Sequence, residues 1–301
     1  TTCNPVLNGE FLAVSGQSET RTENEITGTA KLSYEVSPDM MVFAGYSRGF
    51  KSGGFNLDRS SLESAFVSTF LPPANDGPQL SDLEFDSEIV NAYEAGFKST
   101  FADGRVVLNV SGFYQDVMDF QENLFLGSNF VVTNTDVESF GVEVDTSLEP
   151  IDGLVIQSGF LWVEATRKEG ANEGQQLGNT PEFVVTAQGT YTFPLVADTI
   201  EGFVHGNVRW QSDTNLIAGD FPAFLNNGAF ATLGARVGVQ STDGKYALSA
   251  FGSNLLDEQY NVSGFFVPEQ AIAGAPASTT ETVATYPGAP RFWGVELKAR
   301  F

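Results

Sequence analysis

The residue types that most often carry chemistry are scarce in this chain of 301 residues. Histidine and cysteine occur once each, at His205 and Cys3. A single cysteine forms no intrachain disulfide, and a single imidazole supports neither a proton relay nor a histidine-based metal site. Glu143 and Asp145 share one face of an extended segment, as two glycosidase acids could, but a polar wall explains them more simply. We predict no catalytic residue, no cofactor and no metal site.

Residues 52–87 form the longest polar stretch of the chain and are the best candidate for ligand contact. Their six acidic residues are accompanied by a single cation, Arg59. Such a charge balance disfavours an anionic ligand unless a local cation offsets it, whereas the phenylalanines of the stretch suit an apolar or aromatic solute. We predict that Phe55, Arg59, Phe66 and Phe70 face the ligand.

The last ten residues, FWGVELKARF, indicate the element that positions such loops. Side chains alternate between the two faces of a strand, so Trp293, Val295 and Leu297 lie on one face. Glu296 and Lys298 lie on the other. An apolar outer face, a polar inner face and a terminal aromatic residue are typical of the closing strand of an outer-membrane β-barrel.

The same alternation recurs along the chain in about eleven segments of roughly ten residues each, rich in β-branched and aromatic residues. The predicted strands lie near residues 26–36, 40–51, 89–100, 105–119, 138–148, 153–166, 183–193, 203–211, 230–239, 245–257 and 290–301.

The connections between these segments alternate strictly between short and long. Short turns with Pro, Asp or Gly lie at 37–40, 102–105, 149–153, 194–201 and 241–245, and longer polar stretches at 52–87, 121–132, 167–180, 213–228 and 260–289. In an up-and-down meander, alternate connections lie at opposite ends, as in outer-membrane barrels with periplasmic turns and extracellular loops. A β-sandwich would mix both lengths at both ends. We therefore predict an all-β, transmembrane, antiparallel up-and-down β-barrel.

Charge supports this interpretation and excludes one class of partner. The formal net charge is -23, and nucleic-acid binding needs a basic face. No apolar run approaches the roughly 18 residues of a transmembrane helix. In the barrel interpretation, Arg209, Arg236, Glu143 and Glu296 line the lumen.

Six stretches, taken in order, resemble one known family. They are residues 46–56 (YSRGFKSGGFN), 91–99 (NAYEAGFKS), 140–145 (FGVEVD), 177–181 (LGNTP), 252–260 (GSNLLDEQY) and the end strand 290–301. From about residue 25 onward, their order and spacing resemble the C-terminal half of the barrel of TonB-dependent outer-membrane receptors.

The resemblance implies a barrel of about 22 strands plugged by an N-terminal domain, of which this chain supplies about half. Residues 1–24 would end an extracellular loop, and residues 25–301 would be the C-terminal part of the barrel. The first residues lack the basic start and apolar core of a signal peptide, so we expect a piece of a longer precursor with the plug elsewhere.

The family implies a receptor in the outer membrane of a Gram-negative bacterium that takes up a scarce solute, such as a siderophore–iron complex. Expected partners are TonB, reached through the plug, outer-membrane lipid and lipopolysaccharide, and a small-molecule ligand. Two alternatives remain open: a passive outer-membrane porin and a secreted β-rich binding module.

Overall fold

The computed structural model describes residues 20–56, 83–125, 130–169, 173–197, 199–216, 226–266 and 283–300. In these residues the chain is all-β, and no helix has the length and hydropathy needed to cross a membrane. The strands in the first half are β1 (Gly28–Ser37), β2 (Met40–Lys51), β3 (Gly54–Phe55), β4 (Glu84–Phe85), β5 (Glu88–Phe101), β6 (Val106–Phe125), β7 (Phe130–Ile151) and β8 (Leu154–Arg167). The second half contains β9 (Phe183–Val196), β10 (Ile200–Gln211), β11 (Thr214–Asn215), β12 (Asn226–Asn227), β13 (Phe230–Ser241), β14 (Tyr246–Ser253), β15 (Asn261–Phe266), β16 (Val283–Pro287) and β17 (Phe292–Ala299).

Eleven of the strands form one antiparallel sheet in the order β1-β2-β5-β6-β7-β8-β9-β10-β13-β14-β17. Each neighbour in this sheet is the next long strand along the chain, so the predicted up-and-down meander is confirmed. The other six strands are short and form three pairs, β3–β4, β11–β12 and β15–β16. Each pair lies within one long connection and holds the two ends of that connection together.

The register places the two predicted faces on opposite sides of the sheet. Val204 pairs with Val237, and His205 pairs with Arg236, so apolar rows alternate with polar rows across β10 and β13. On the apolar side Trp293 and Leu297 are 84% and 76% exposed. Large apolar side chains this open to their surroundings are the pattern of a lipid-facing sheet.

Aromatic side chains form a continuous row on this apolar face, at the level toward the long connections. Tyr46, Tyr93, Tyr114 and Phe140 are successive partners across β2, β5, β6 and β7. The ring centroids of Tyr46 and Tyr93 are 5.1 Å apart, and those of Tyr93 and Tyr114 are 6.3 Å apart. Such a row is typical of the interfacial girdle of a membrane barrel.

On the polar face, phenylalanine rings repeatedly lie over a glycine of the next strand. A Cβ on Gly141 would stand 2.8 Å from the ring of Phe113 and 2.2 Å from the carbonyl oxygen of Trp162. Only glycine leaves room for the ring at this position, and the ring in turn covers the glycine backbone. The Phe–Gly pairs are Phe43–Gly96, Phe113–Gly141, Phe203–Gly238 and Phe251–Gly294.

Three predictions of length are wrong. The turn expected at 194–201 is shorter, because β9 runs to Val196 and β10 begins at Ile200. The stretch 121–132, expected to be a long loop, is mostly strand, because β6 and β7 continue pairing as far as Phe125 and Phe130. Valine, threonine and phenylalanine around these positions suit a pleated ribbon. The strand expected near 245–257 ends at Ser253, since Asn254 and Asp257 adopt left-handed backbone angles that stop the pairing.

The best-buried apolar side chains lie at the long-connection end of the sheet rather than at its centre. Val137 is 2% exposed, Leu216 3%, Ala165 4% and Leu83 4%. The inner face is therefore polar along the wall but apolar where the long connections fold against the strand ends. At this end the inner face is therefore not polar throughout, unlike the prediction.

Candidate functional site

The polar face of the sheet brings two of the predicted wall residues together. The Arg236 guanidinium forms an ion pair with Glu296, donates a hydrogen bond to Ser249 Oγ at 2.9 Å, and lies 4.9 Å from the centroid of the Phe251 ring. The positions follow from register, because Arg236 pairs with Phe251, and Ser249 pairs with Glu296. An ion pair at such exposed positions contributes little to stability on its own.

Arg209 lines a different part of the wall. Its guanidinium donates to Gln211 Oε1 and borders a groove of about 550 Å³, together with Asp145, Gln188 and Asn207. Glu143 lines a second groove of about 370 Å³.

Most of the residues around the two grooves belong to the polar face. Because both grooves open on that face, we take it as the concave side of the sheet. The four predicted wall residues share it, although only Arg236 and Glu296 contact each other.

Amide and hydroxyl groups complete the first groove. Gln188 Nε2 donates to Gln157 Oε1 at 2.7 Å across neighbouring strands. Outside the groove, on the same polar face, the single histidine hydrogen-bonds through Nδ1 to Thr190 Oγ1 at 2.9 Å. Hydrogen-bonding groups of this kind, beside the charges of Asp145 and Arg209, suit contact with water or with peptide groups.

The candidate ligand contacts in the longest connection fall partly outside the described residues. Phe55 is half-buried in β3, where it pairs with Glu84 of β4. Arg59, Phe66 and Phe70 lie in residues 57–82, outside the part of the chain that the structure describes. Their role as ligand contacts stays a prediction.

The base of this connection is held by a cation that the sequence analysis did not single out. Arg21 contacts Glu23, Glu84 and Asp86, the last at 3.0 Å, although Asp86 lies 65 residues away in sequence. The Glu23 carboxylate also accepts a hydrogen bond from the Gly53 amide at 3.1 Å. The hydrogen bond to Glu23 raises the pKa of the Arg21 guanidinium above its ordinary value, and the contacts to Asp86 and Glu84 act in the same direction, while partial burial opposes them.

Carboxamides hold the same base from the other side. Asn56 Oδ1 accepts from the Val132 amide at 2.7 Å, and Asn56 Nδ2 donates to the Val132 carbonyl at 3.0 Å. Asn134 makes the same double contact with the backbone of Asp86, at 2.7 and 3.1 Å. Gln121 Nε2 donates to the carbonyls of Ser52 and Asp86 at 2.9 and 3.0 Å.

The sequence pointed to some of these residues but not to others. Asn56 is the last residue of the 46–56 stretch that supported the family resemblance, so the sequence already marked it. Asn254 belongs to the 252–260 stretch, and its carboxamide bonds the backbone of Glu258 and Ala289. Arg21 precedes every recognisable stretch, and nothing local indicated its partners.

Comparison with known proteins identifies the sheet. Residues 6–255 match the family model described as TonB dependent receptor-like, beta-barrel. This match covers most of the chain and begins earlier than the resemblance recognised from about residue 25. It confirms the family that the six stretches indicated.

Relatives and solved structures agree with the family match. The chain is 23% identical over 201 residues to the metal-pseudopaline receptor of Pseudomonas aeruginosa, covering 66% of this chain and 24% of the relative. It is 23% identical over 267 residues to the ferric-pyoverdine 358 receptor of Pseudomonas putida, covering 84% and 30%. The ferric yersiniabactin uptake receptor of Yersinia pestis superposes with a TM-score of 0.69 at 19% identity, covering 91% of this chain and 37% of that one. The chain thus spans about a quarter to a third of these curated relatives.

Proposed function

Because the chain belongs to the TonB-dependent receptor β-barrel family, we propose that it is the C-terminal part of the barrel of a receptor that takes up a scarce metal complex. The family comprises outer-membrane transporters of Gram-negative bacteria and not enzymes. We assign residues 25–301 to the C-terminal part of the barrel and residues 1–24 to the end of an extracellular loop. TonB supplies the energy through the plug of the complete receptor.

One observation carries the proposal: the sheet has two chemically opposite faces, and the family match covers most of the chain. The apolar face exposes Trp293 and Leu297, which suits hydrocarbon. The polar face holds Arg209, Arg236, Glu143 and Glu296 and both grooves. These four residues line a hydrated lumen in the proposed barrel.

The relatives support a metal complex as the solute. The names of both curated relatives specify receptors for a metal bound to an organic chelator. In this chain the ligand would meet the extracellular connections, with Phe55, Phe66 and Phe70 packing against its organic part and Arg59 meeting an anionic group. Lipopolysaccharide and outer-membrane lipid would surround the apolar face.

The edges of the sheet support a larger barrel. In the described residues, β1 pairs only with β2, and β17 pairs only with β14. An unpaired strand edge in lipid leaves backbone groups without partners. We expect residues 1–301 expressed alone to aggregate, and a monomeric, protease-resistant product would contradict the proposal.

Uptake by the complete receptor tests the function. Cells lacking their other metal-chelate receptors are given radiolabelled ferric pyoverdine, ferric yersiniabactin or metal-loaded pseudopaline, and accumulation is measured with and without a protonophore. We expect saturable uptake of at least one probe that stops when the proton gradient collapses and when TonB is deleted.

Each rival predicts another outcome. Influx that is unsaturable and persists without the proton gradient would establish a passive porin instead. Recovery of the complete protein from the aqueous fraction without detergent would establish a secreted binding module. Saturable, gradient-dependent uptake of a solute that contains no metal would keep the transporter and refute the metal complex.

A further inference from the structure

At the long-connection end, the described residues link each connection to the next one along the sheet. The residues concerned are 20–27, 52–56 with 83–87, 118–125 with 130–136, 168–169 with 173–182, 212–216 with 226–229, and 254–266 with 283–291. We call this set the collar. The collar is held by specific contacts between segments far apart in sequence, and these contacts follow one another across the sheet.

The first link joins residues 20–27 to the connection between β2 and β5. Arg21 lies between Glu84 and Asp86, and its side chain is only 19% exposed. One guanidinium with five donors satisfies several carboxylates in fixed geometry. Removing it would leave those carboxylates facing one another.

The second link joins that connection to the β6–β7 hairpin through Asn56. The Asn56 carboxamide presents one donor and one acceptor to Val132, as a peptide group of a neighbouring strand would. Asn56 is 9% exposed, so water does not replace these bonds readily.

The third link joins the β6–β7 hairpin to the β8–β9 connection. The Lys168 amide donates to the Asp136 carbonyl at 2.9 Å, and Lys168 Nζ lies 2.9 Å from Asp116 Oδ1. Next to it, Arg167 is 4% exposed and forms an ion pair with Glu122. A buried pair of this kind fixes position strongly, because either partner alone would be left uncompensated.

The fourth link joins the β8–β9 and β10–β13 connections. The Asn179 amide donates to the Asn215 carbonyl at 2.8 Å. The Phe183 amide donates to Ser212 Oγ at 3.1 Å, and the Ser212 amide returns a bond to the Phe183 carbonyl at 2.9 Å. These bonds continue the ladder between β9 and β10 into the collar.

The fifth link repeats the chemistry of the second. Asn227 Nδ2 donates to the Asn261 carbonyl at 2.6 Å, and the Asn261 amide donates to Asn227 Oδ1 at 3.0 Å. Asn227 is 8% exposed. Two buried asparagines at distant points of the collar thus make the same peptide-like contact with the next connection.

We propose that these links make the extracellular connections a single coupled body, in which Asn56 and Asn227 are positioning residues. A carboxamide is needed because only a group with both a donor and an acceptor satisfies the amide and the carbonyl of one strand edge. Each bond contributes modestly, but a buried partner left unsatisfied costs more than the bond itself. Loosening one link should therefore increase how often the neighbouring connections open, because each connection is held in part by the next link.

Hydrogen exchange on the complete receptor in detergent tests the coupling. In Asn56→Asp the volume is kept, but the donor is lost and a charge faces the carbonyls of Val132 and Leu83. We expect exchange to rise about tenfold in peptides covering 83–87 and 130–134, the loss of about one buried hydrogen bond, and to rise also in 173–182, one link further. Asn227→Asp is expected to loosen 226–229 and 261–264 and, one link further, 173–182.

Gln188→Glu is the matched control, because it makes the same amide-to-carboxylate change within the wall, where the Gln188 carboxamide hydrogen-bonds Gln157 of the neighbouring strand and no collar residue. It should leave exchange in all collar peptides unchanged. If Asn56→Asp does not assemble, Asn56→Ser removes the same contacts without adding a charge. The coupling would be overturned if, in both asparagine variants, hydrogen exchange rose only in the two segments joined by the altered link. The five links would then be independent contacts.

Discussion

The two ends of the sheet are closed by different kinds of contact. At the short-turn end each turn is closed by its own backbone bonds, such as that from the Gly244 amide to the Ser241 carbonyl at 2.9 Å. Neighbouring turns are joined there by further backbone bonds, such as that from the Thr100 amide to the Asp39 carbonyl at 2.8 Å. At the long-connection end side chains with little exposure join the segments, across 65 residues for Arg21 with Asp86 and 76 for Asn56 with Val132. The bonds within a turn need little from the rest of the fold, whereas the side-chain contacts of the collar exist only once the sheet has formed.

This difference has consequences for dynamics. Contacts that depend on distant segments open together when any supporting segment opens, and local turns open one at a time. We therefore expect substitutions at the short-turn end to act on their own turn and the strand ends beside it, and substitutions in the collar to act on connections that the altered residue does not touch. The predictions below run from the largest effect to the smallest.

Gly153→Ala should give the largest loss of stability, in the β7–β8 turn and the adjacent end of β9. Gly153 has φ +82, and a Cβ there would stand 2.4 Å from the Thr192 carbonyl oxygen. Left-handed strain and overpacking together cost about 2–4 kcal/mol, measured as the unfolding free energy of the complete receptor in urea. The matched control, Gly244→Ala, has φ +68 but open space around the Cβ, so strain alone should cost about 1 kcal/mol. Equal costs at the two glycines would contradict the role of Thr192.

Arg21→Met should destabilise the collar by about 1–3 kcal/mol, because Glu23, Glu84 and Asp86 would face one another without a cation; partial exposure keeps the loss below that of a fully buried pair. Hydrogen exchange of peptides 52–56 and 83–87 measures it. Arg105→Met is the control, since Arg105 and Asp152 form an exposed pair at the short-turn end, at 2.9 Å, and it should cost under about 1 kcal/mol. A smaller effect at Arg21 than at Arg105 would remove the distinction between the collar and an ordinary surface pair.

The sequence predicted the sheet well and the collar poorly, for a physical reason. Alternation of apolar and polar residues is set by the two-residue period of a strand, so eleven strands and their faces could be located without coordinates. Turns such as 241–245 were visible because their chemistry lies within a few residues. The partner of Arg21 depends on where β2 and β5 lie in three dimensions, and no local period encodes that.

Pairing between distant residues also decides the length of β6 and β7. Their ladder continues to Phe125 and Phe130, through a stretch whose polar residues had indicated a loop. Positions 57–82 carry three of the four predicted ligand contacts and lie outside the described residues. The wall residues were predictable as a face, but the contact of Arg236 with Glu296 required the register of β13, β14 and β17.

Asp119→Asn should stabilise the collar at neutral pH. Burial raises the pKa of Asp119 above its ordinary value, and the nearby charges of Asp86 and Asp136 add to the shift. The folded state therefore favours the protonated carboxyl, so this group's contribution is most favourable below the unfolded pKa and is lost as pH rises through the folded one. A neutral amide removes the penalty at pH 7, and asparagine tolerates the left-handed backbone, φ 54, at this position.

The measurement is the unfolding free energy of the complete receptor against pH, for wild type and Asp119→Asn. The two curves should be separated at neutral pH and converge in acid, where Asp119 is itself uncharged. A gain that persists unchanged in acid would trace the effect to backbone preference rather than to charge.

Asp243→Asn, at the short-turn end, should show the opposite sign and the smallest effect. A hydrogen bond from Ser241 at 2.6 Å lowers the pKa of Asp243, and the Lys245 amide, donating at 3.0 Å, acts in the same direction. The folded pKa lies below the unfolded one, so the stabilisation is present above the unfolded value and is lost as pH falls through the folded one. Asparagine keeps the acceptor oxygen but loses the attraction to Lys245 Nζ, 3.5 Å away. The variant should be slightly less stable than wild type at pH 7 and equal to it in acid, with exchange altered only in the 241–246 turn. A change that reached the collar would mean that the two ends do not differ in the way their contacts indicate.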